Sequence, residues 1–572
     1  MTRRMITGAV LALTMGLVSA PVVQAQGLAG PYLAARQAGL SADYAEAAVY
    51  YTQALVRDPG NPLLLESAAH AQVALGNLAL VVPMARRLED DGLKSQIADM
   101  ILIADEAAKG SFDVLVTRIE EERGVGLFVD GLVKAWALMG AGKVTQSLAA
   151  FDAVAQERGM KGFALYHKAL ALAQVDDYEA AEAIFADTMG AEMQTSRRSV
   201  IARLEVLSQL ERGEDAVEML DDLFGTELDP SLSVLRQQLL DGDVVPVASV
   251  RSAADGIAEV FHSVAVALNS EADQDYTLLF SRVAEFLRPD HTDATLLSAQ
   301  LLDALQRYDL AVDAYKKVGT DNPYFHAAEL GRADSLRRAG RVDAATEVLE
   351  KLTQTHPTLP IVHVTLGDLK RQIGDHDKAV IAYDDALALY EAPKPAQWFV
   401  YYARAISHER LGAWDSAEQD FRTALKLNPD QPQVLNYLGY SLVEQQIKLD
   451  EALSMIERAV AVRPDSGYIV DSLGWVLFRL GRYEEAVPHM ERAASLMPVD
   501  PVVNDHLGDT LWAVGRIREA EFQWRRALSF VDREDASGEV KPDRIRLKLD
   551  IGLDAVLEQE GAAPLHGANG DN

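Results

Sequence analysis

Small, large and again small apolar residues recur at fixed offsets along the last third of the chain, with polar residues between them. Aligning the stretches that begin at Trp398, Pro432, Gly467 and Pro501 places Ala417, Ala452, Ala486 and Ala520 in one small-residue slot. Phe421, Ile456, Met490 and Trp524 share the large slot that follows, and Ala424, Ala459, Ala493 and Ala527 the next small one. Pro429, Pro464 and Pro498 then close three of the four stretches. Residues spaced four and three apart share one face of a helix, so each stretch predicts a helix with a narrow packing stripe, preceded by a partner helix. A period of about 34 residues with two short helices cannot bury its apolar faces alone and must stack on its neighbours. Small residues let the helices approach closely, the large residue fills the gap between repeats, and proline stops the second helix. Gly340, Gly374, Gly412, Gly481 and Gly515 fall between the two helices of their stretches, where left-handed backbone ends the first.

The same spacing is present near the other end, at Ala47, Tyr51, Ala54 and Pro59. From Asn61 to Gly162 the pattern degenerates, keeping helix-pair lengths and turn glycines such as Gly110 and Gly142 while losing most alanine slots. It sharpens at Asp177-Tyr178-Glu179-Ala180-Ala181 with Phe185, and at Ala216 with Leu220. Residues 26–240 are thus read as a first, partly degenerate solenoid. Between 241 and 257 the period is lost among Gly242, Pro246, Ser249 and Ser252, which predicts a linker. A second solenoid is expected over 258–540, and a generous count gives about fourteen repeats in all. Residues 541–558 read as a capping helix, with Ile545, Leu549, Val556 and Leu557 on one face and charges opposite. The glycine-bearing stretch 559–572 reads as a disordered tail.

The pattern resembles the tetratricopeptide repeat. That resemblance implies an all-α solenoid, a right-handed superhelix of helix-turn-helix units whose first helices line a concave groove. The non-packing positions of those helices hold Asn436 and Tyr440, then Asp471, Trp475, Phe478 and Arg479, then Asp505, Asp509 and Trp512. Aromatic rings bury area at low entropy cost and charged groups set register, so these nine residues are the expected partner-binding groove. Packing of Trp475 and Trp512 between helices is the competing reading.

Charge narrows the partner. The chain carries 86 acidic against 54 basic residues, a net charge of -32. Nucleic acid needs a basic stripe, so it is excluded as the expected partner. Arg3 and Arg4 precede an apolar run from Met5 to Val18, and Val23-Gln24-Ala25 supplies the small residues that a signal peptidase reads. Residues 1–25 are therefore expected to be a signal peptide cleaved after Ala25. The apolar run is too short to span a bilayer comfortably and no second one follows, so no integral membrane segment is expected. With no cysteine, neither structural disulfides nor a lipidated cysteine are available. The periplasm of a Gram-negative bacterium is the expected compartment, with full secretion as the alternative.

Catalytic and metal-binding motifs are missing from the sequence. The closest histidines in sequence, His356 and His363, would stand about 10 Å apart on a continuous helix, too far to share one zinc. There is no H-E-x-x-H and no G-x-S-x-G. Gly140-Ala141-Gly142-Lys143 lacks the other parts of a phosphate loop, and Asp241-Gly242-Asp243 those of a calcium loop. His506 follows Asp505, but neighbours on a helix point about 100° apart and cannot form a buried acid-base pair. No cofactor, metal or catalytic residue is expected. An enzyme whose active site hides in the degenerate region 61–162 is the alternative of another class.

The strings Leu435-Asn436-Tyr437-Leu438-Gly439-Tyr440, Asp471-Ser472-Leu473-Gly474-Trp475, Arg482-Tyr483-Glu484-Glu485-Ala486 and Asn504-Asp505-His506-Leu507-Gly508-Asp509 resemble a proteobacterial family of exported tetratricopeptide proteins. That family includes lipoprotein adaptors of carboxyl-terminal processing proteases, which control peptidoglycan hydrolases. The resemblance is close over about residues 430 to 530, and this chain lacks the lipidated cysteine. It implies a non-enzymatic scaffold or adaptor that holds protein or peptide partners, a processing protease and its cell-wall substrates among them. Scaffolding of outer-membrane assembly or polysaccharide export is the alternative within the same class.

Overall fold

The computed structural model describes residues 28–190, 193, 195–225, 228–531 and 540–565. The expected signal peptide and the end of the expected tail lie outside the described residues. Among those described, regular structure is helical apart from one isolated bridge between Met189 and Met193. Fourteen helix pairs succeed one another from Ala29–Leu40 to Ile517–Phe530, joined by the single helix Pro230–Asp241 and a 3-10 turn at Pro395–Gln397. Two short helices, Pro542–Ile551 and Leu553–Gln559, follow.

The chain divides into two compact units, one up to Ala345 and one from Thr346 onward. The division is not at 241–257, where the sequence predicts a linker. That stretch is a pinned connection, and the helix Ala253–Leu268 begins inside it. Arg288 donates to the carbonyls of Ala248 and Ser249 at 2.8 and 2.7 Å, and the Gln209 amide donates to the Val245 carbonyl at 2.6 Å. Gly242 and Pro246 remove helical periodicity, but side chains from neighbouring helices satisfy the freed backbone groups.

In the first unit, the degenerate stretch 61–162 consists of the pairs Pro62–Ala74 with Leu78–Asp90, Gln96–Ala108 with Phe112–Glu120, and Leu127–Gly140 with Val144–Ala155. No separate domain interrupts them. Gly142 has φ of +76° in the turn of the last pair, and Lys143 is bonded to Asp113 at 2.7 Å. The helices Ala253–Leu268 and Gln274–Leu287 fold back onto the first helices of these pairs and onto Lys161–Gln174. Ile257, Val260, Phe261, Leu278 and Val283 are fully buried there. A Cβ on Gly256 would come within 2.2 Å of the Trp136 indole, so only glycine permits this approach. Polar ties complete the contact. Tyr166 donates to Glu259 at 3.0 Å, Arg198 and His291 stand 2.6 and 3.3 Å from the same carboxylate, and Arg282 donates to the Ala74 carbonyl at 3.1 Å. The hairpin thus covers the first helices of these pairs and of the next one with segments of the same chain.

In the second unit the repeat geometry follows the slots. Gly367, Gly439, Gly474 and Gly508 sit in the first helix of four of the repeats, and Ala405 takes that slot in the repeat from Trp398. A Cβ at each glycine would lie 2.6, 2.7, 2.8 and 2.4 Å from the large-slot residue of the same pair, Tyr383, Ile456, Met490 and Trp524. Gly374, Gly412, Gly481 and Gly515 have φ of +79°, +74°, +74° and +78° and end their first helices as expected. The repeat from Pro432 instead uses Gln446 and Lys448 at positive φ. The C-terminal segment expected as one helix is two, because Gly552 at φ +82° stops the first. Ile545, Leu553 and Val556 are buried, and Ile545 and Leu553 join the apolar cluster of Leu511 and Trp524. The start of the expected tail is tied down as well, since the Leu565 amide donates to Asp554 at 2.6 Å.

Candidate functional site: the first-helix face of the second unit

The helices Pro432–Glu444, Gly467–Arg479 and Pro501–Ala513 carry all nine expected groove residues. Proline opens the first and third, where its missing N–H costs nothing, and Asp500 caps the third by accepting from the Val503 amide at 3.0 Å. Val434, Leu435, Leu438 and Leu442 in the first, with their counterparts Ile469, Val470, Leu473 and Leu477 in the second, turn into the stack. The remaining positions separate into three groups.

Asp505, Asp509 and Trp512 are engaged by the C-terminal helices. The Lys548 ammonium, at 1% exposure, lies 2.8 Å from Asp505 and 2.6 Å from Asp509. Trp524 donates its indole N–H to Asp509 at 2.9 Å, and Trp512 donates to Asp554 at 3.0 Å. These three side chains belong to a contact within the chain.

Asp471, Trp475, Phe478 and Arg479 form a second group around His506. The imidazole Nδ1 is 2.9 Å from Asp471, and the ring stacks on Trp475 with centroids 4.0 Å apart and planes at 11°. Trp475 stacks in turn on Phe478 at 4.8 Å and 4°. Its N–H donates to Glu444 of the preceding repeat at 2.8 Å, and Arg479 stands 5.9 Å over the indole. Trp475 is only 8% exposed, whereas Phe478 and Arg479 are half-buried. The third group is Asn436 and Tyr440, both half-buried on the first of these helices. The Oδ1 of Asn436 and the Oδ1 of Asp471 are buried without a hydrogen-bond partner.

Two pKa shifts follow from this packing. Burial pushes the His506 imidazole down, but the charge and hydrogen bond of Asp471, helped by Asp505 and Asp509, outweigh it and leave the ring above its ordinary value. Burial raises the Asp505 carboxyl, and the neighbouring Asp509 raises it further against the pull of Lys548.

The Asp471–His506 pair was invisible to a search for neighbours in sequence, since its members are in successive repeats. One 34-residue period after Asp471 stands Asp505, so the pair joins Asp471 to the residue next to its own counterpart, an offset that the period alone does not mark. Lys548 is the most completely enclosed charge of this face. Among the described residues no group of His, Asp and Glu is arranged to hold a metal ion, and no helix is long and apolar enough to cross a membrane.

A tetratricopeptide repeat model matches residues 391–533, and a second one matches residues 296–360 and 330–397. A TPR repeat-containing protein of Pseudomonas aeruginosa, PA4667, is 31% identical over 173 residues, which are 30% of this chain and 28% of that protein. Protein FlbA of Caulobacter vibrioides is 25% identical over 181 residues, 32% of this chain and 30% of that protein. The chain thus spans less than a third of the length of either relative. A crystal structure of a tetratricopeptide repeat protein from Parabacteroides merdae is 16% identical, covering 45% of this chain and 97% of that one with a TM-score of 0.36. With its helix pairs, its close-approach glycines and the two repeat-model matches, the chain is an all-α tetratricopeptide solenoid whose repeats are recognised from residue 296 to residue 533.

Proposed function

We propose that this protein is a non-enzymatic periplasmic scaffold that holds a segment of a protein partner on the first-helix face of its second unit. Within that role it delivers cell-wall hydrolases to a carboxyl-terminal processing protease. The observation that carries the binding reading is that Tyr440, Phe478 and Arg479, on successive first helices, stay only half-buried while a ring stack fixes the Phe478 plane. Rigid aromatic anchors beside a cation are the make-up of a peptide-binding surface. In the first unit the first helices from Pro62–Ala74 to Lys161–Gln174 are covered by the chain's own hairpin, which supports reading the partner site on the second unit. The protease role rests on the resemblance of the strings around Tyr440, Trp475 and His506.

The test uses a purified carboxyl-terminal processing protease and a peptidoglycan hydrolase. Adding the protein is expected to speed degradation of the hydrolase. Phe478→Ala and Tyr440→Ala should each weaken protease capture by about 2 kcal/mol with melting unchanged, while Trp475→Ala should lower both. Capture untouched by the first two changes would place the site elsewhere on the chain. For the compartment, mass spectrometry of the envelope protein is expected to find Gln26 as first residue, and an intact Met1 on the mature protein would remove the periplasmic part of the proposal.

A further inference from the structure

The three-ring stack has a feature that partner binding alone does not need: one of its rings can carry a charge. His506 is 9% exposed and Asp471 is 5% exposed, so their 2.9 Å contact is closed to bulk water. The indole of Trp475 lies between the imidazole and the Phe478 ring, nearly parallel to both. A charged imidazole holds an indole face by cation–π attraction that a neutral one lacks. Its second attachment, the ion pair to Asp471, also depends on that charge. Three successive repeats meet here, through Glu444, through Trp475 with Asp471, and through His506.

The charged groups around the imidazole are few. Asp471 faces it from Gly467–Arg479, and Asp505 and Asp509 from its own helix. Lys548 and Arg544 of the C-terminal helix bond those two aspartates, while Glu444 and Arg479 reach the far side of Trp475. The helices Tyr483–Leu496 and Ile517–Phe530 bury apolar residues, among them Met490 and Trp524, toward the interior.

We propose that His506 is a positioning residue whose proton locks the His506–Trp475–Phe478 stack, making the geometry of the partner-binding face depend on pH. The proposal rests on that face being the binding surface, since only then does the ring geometry bear on capture. Burial disfavours the charged ring, but Asp471 outweighs it and raises the imidazole above its ordinary value, so the lock is closed in acid and opens as the pH rises through that raised value.

The test needs no partner, so its failure is distinct from failure of the groove reading. Tryptophan emission of the full protein is titrated from pH 5 to 9, and the Trp475→Phe variant is subtracted to isolate Trp475. An imidazolium quenches a stacked indole, so emission should rise through a midpoint above 6.5. The rise should be absent in His506→Gln and should move to lower pH in Asp471→Asn. Nitrogen chemical shifts of the histidine rings in the unmodified protein read the same proton directly, even if a variant fails to fold. A neutral His506 at pH 6, or an emission change that survives in His506→Gln, would overturn the proposal.

Discussion

Replacing Lys548 with methionine is expected to destabilise the second unit by about 3–5 kcal/mol, the usual cost of removing one partner from a buried ion pair. The side chain is 1% exposed and its ammonium reaches both oxygens of Asp505 and of Asp509 within 3.0 Å. Methionine keeps the volume of the stem and removes the charge. Two enclosed carboxylates are then left facing each other, with the Trp524 N–H at 2.9 Å and the Arg544 guanidinium at 3.6 Å from Asp509. The Asp505 carboxyl, already raised by burial and by Asp509, will take up a proton in the variant at higher pH than in the unmodified protein. The melting temperature should therefore fall by roughly 10 °C at pH 7.5 and recover part of the loss on acidification. Asp509→Asn added to Lys548→Met should restore part of the loss at pH 7.5, because it removes one of the stranded charges. An unchanged melting temperature would show that the C-terminal helices are held by Ile545, Leu553 and Val556 alone.

That lysine also marks what the sequence could and could not reveal. Helix pairs, turn glycines and slot residues were legible because they recur: Ala452, Ile456 and Ala459 mean little singly and a great deal when Ala486, Met490 and Ala493 follow one period later. The glycines at 439, 474 and 508 recur as well, and their meaning needed only the question of what stands opposite. Contacts that do not recur stayed hidden. Lys548 stands three residues after Ile545, at the edge of the apolar stripe, and nothing local tells that two aspartates about forty residues earlier enclose its charge. The folding back of Ala253–Leu268 onto Leu127–Gly140 joins segments more than a hundred residues apart through Gly256 and Trp136. A repeat-by-repeat reading has no signal for such a meeting. Of the nine groove residues, the sequence placed all on first helices. It could not distinguish Tyr440 and Phe478, which are half-buried, from Asp509 and Trp512, which the chain's own end engages.

The hidden contact in the first unit has a consequence for acid stability. Two histidines in it are buried and held neutral. His167 accepts the Trp136 indole N–H at Nδ1 at 3.1 Å, and its Nε2 is buried without a partner. His262 lies against His291 with ring centroids 4.6 Å apart and likewise has an unpartnered nitrogen. Burial lowers the His167 imidazole to about 4, with Glu259 opposing only in part. Burial lowers His262 as well, and the neighbouring His291 adds to it. In the unfolded chain both take a proton near 6.5, so the unfolded state binds more protons than the fold as the pH drops below that value. Stability of the first unit is thus full above 6.5 and is lost on the way down. At pH 5 the cost for His167 is about 2 kcal/mol, and His262 adds to it in the same direction. His506 has the opposite sign, since its raised value makes its contribution present at low pH and lost as the pH rises. Asp99, Asp130, Glu205 and Asp303 of the first unit are raised by burial and favour the fold on acidification, whereas Asp275 and Glu285, held low against burial by His70 and by Arg282 with Lys317, disfavour it, so the histidine contribution must be isolated by difference. His167→Gln with His262→Gln keeps an acceptor for Trp136 and removes both protonation sites. Between pH 7 and pH 5 the melting transition of the first unit should fall by several degrees less in this variant than in the unmodified protein, whatever the absolute stabilities. Equal falls in the two proteins would mean that acid reaches the first unit through its carboxylates and not through the histidines behind its hairpin.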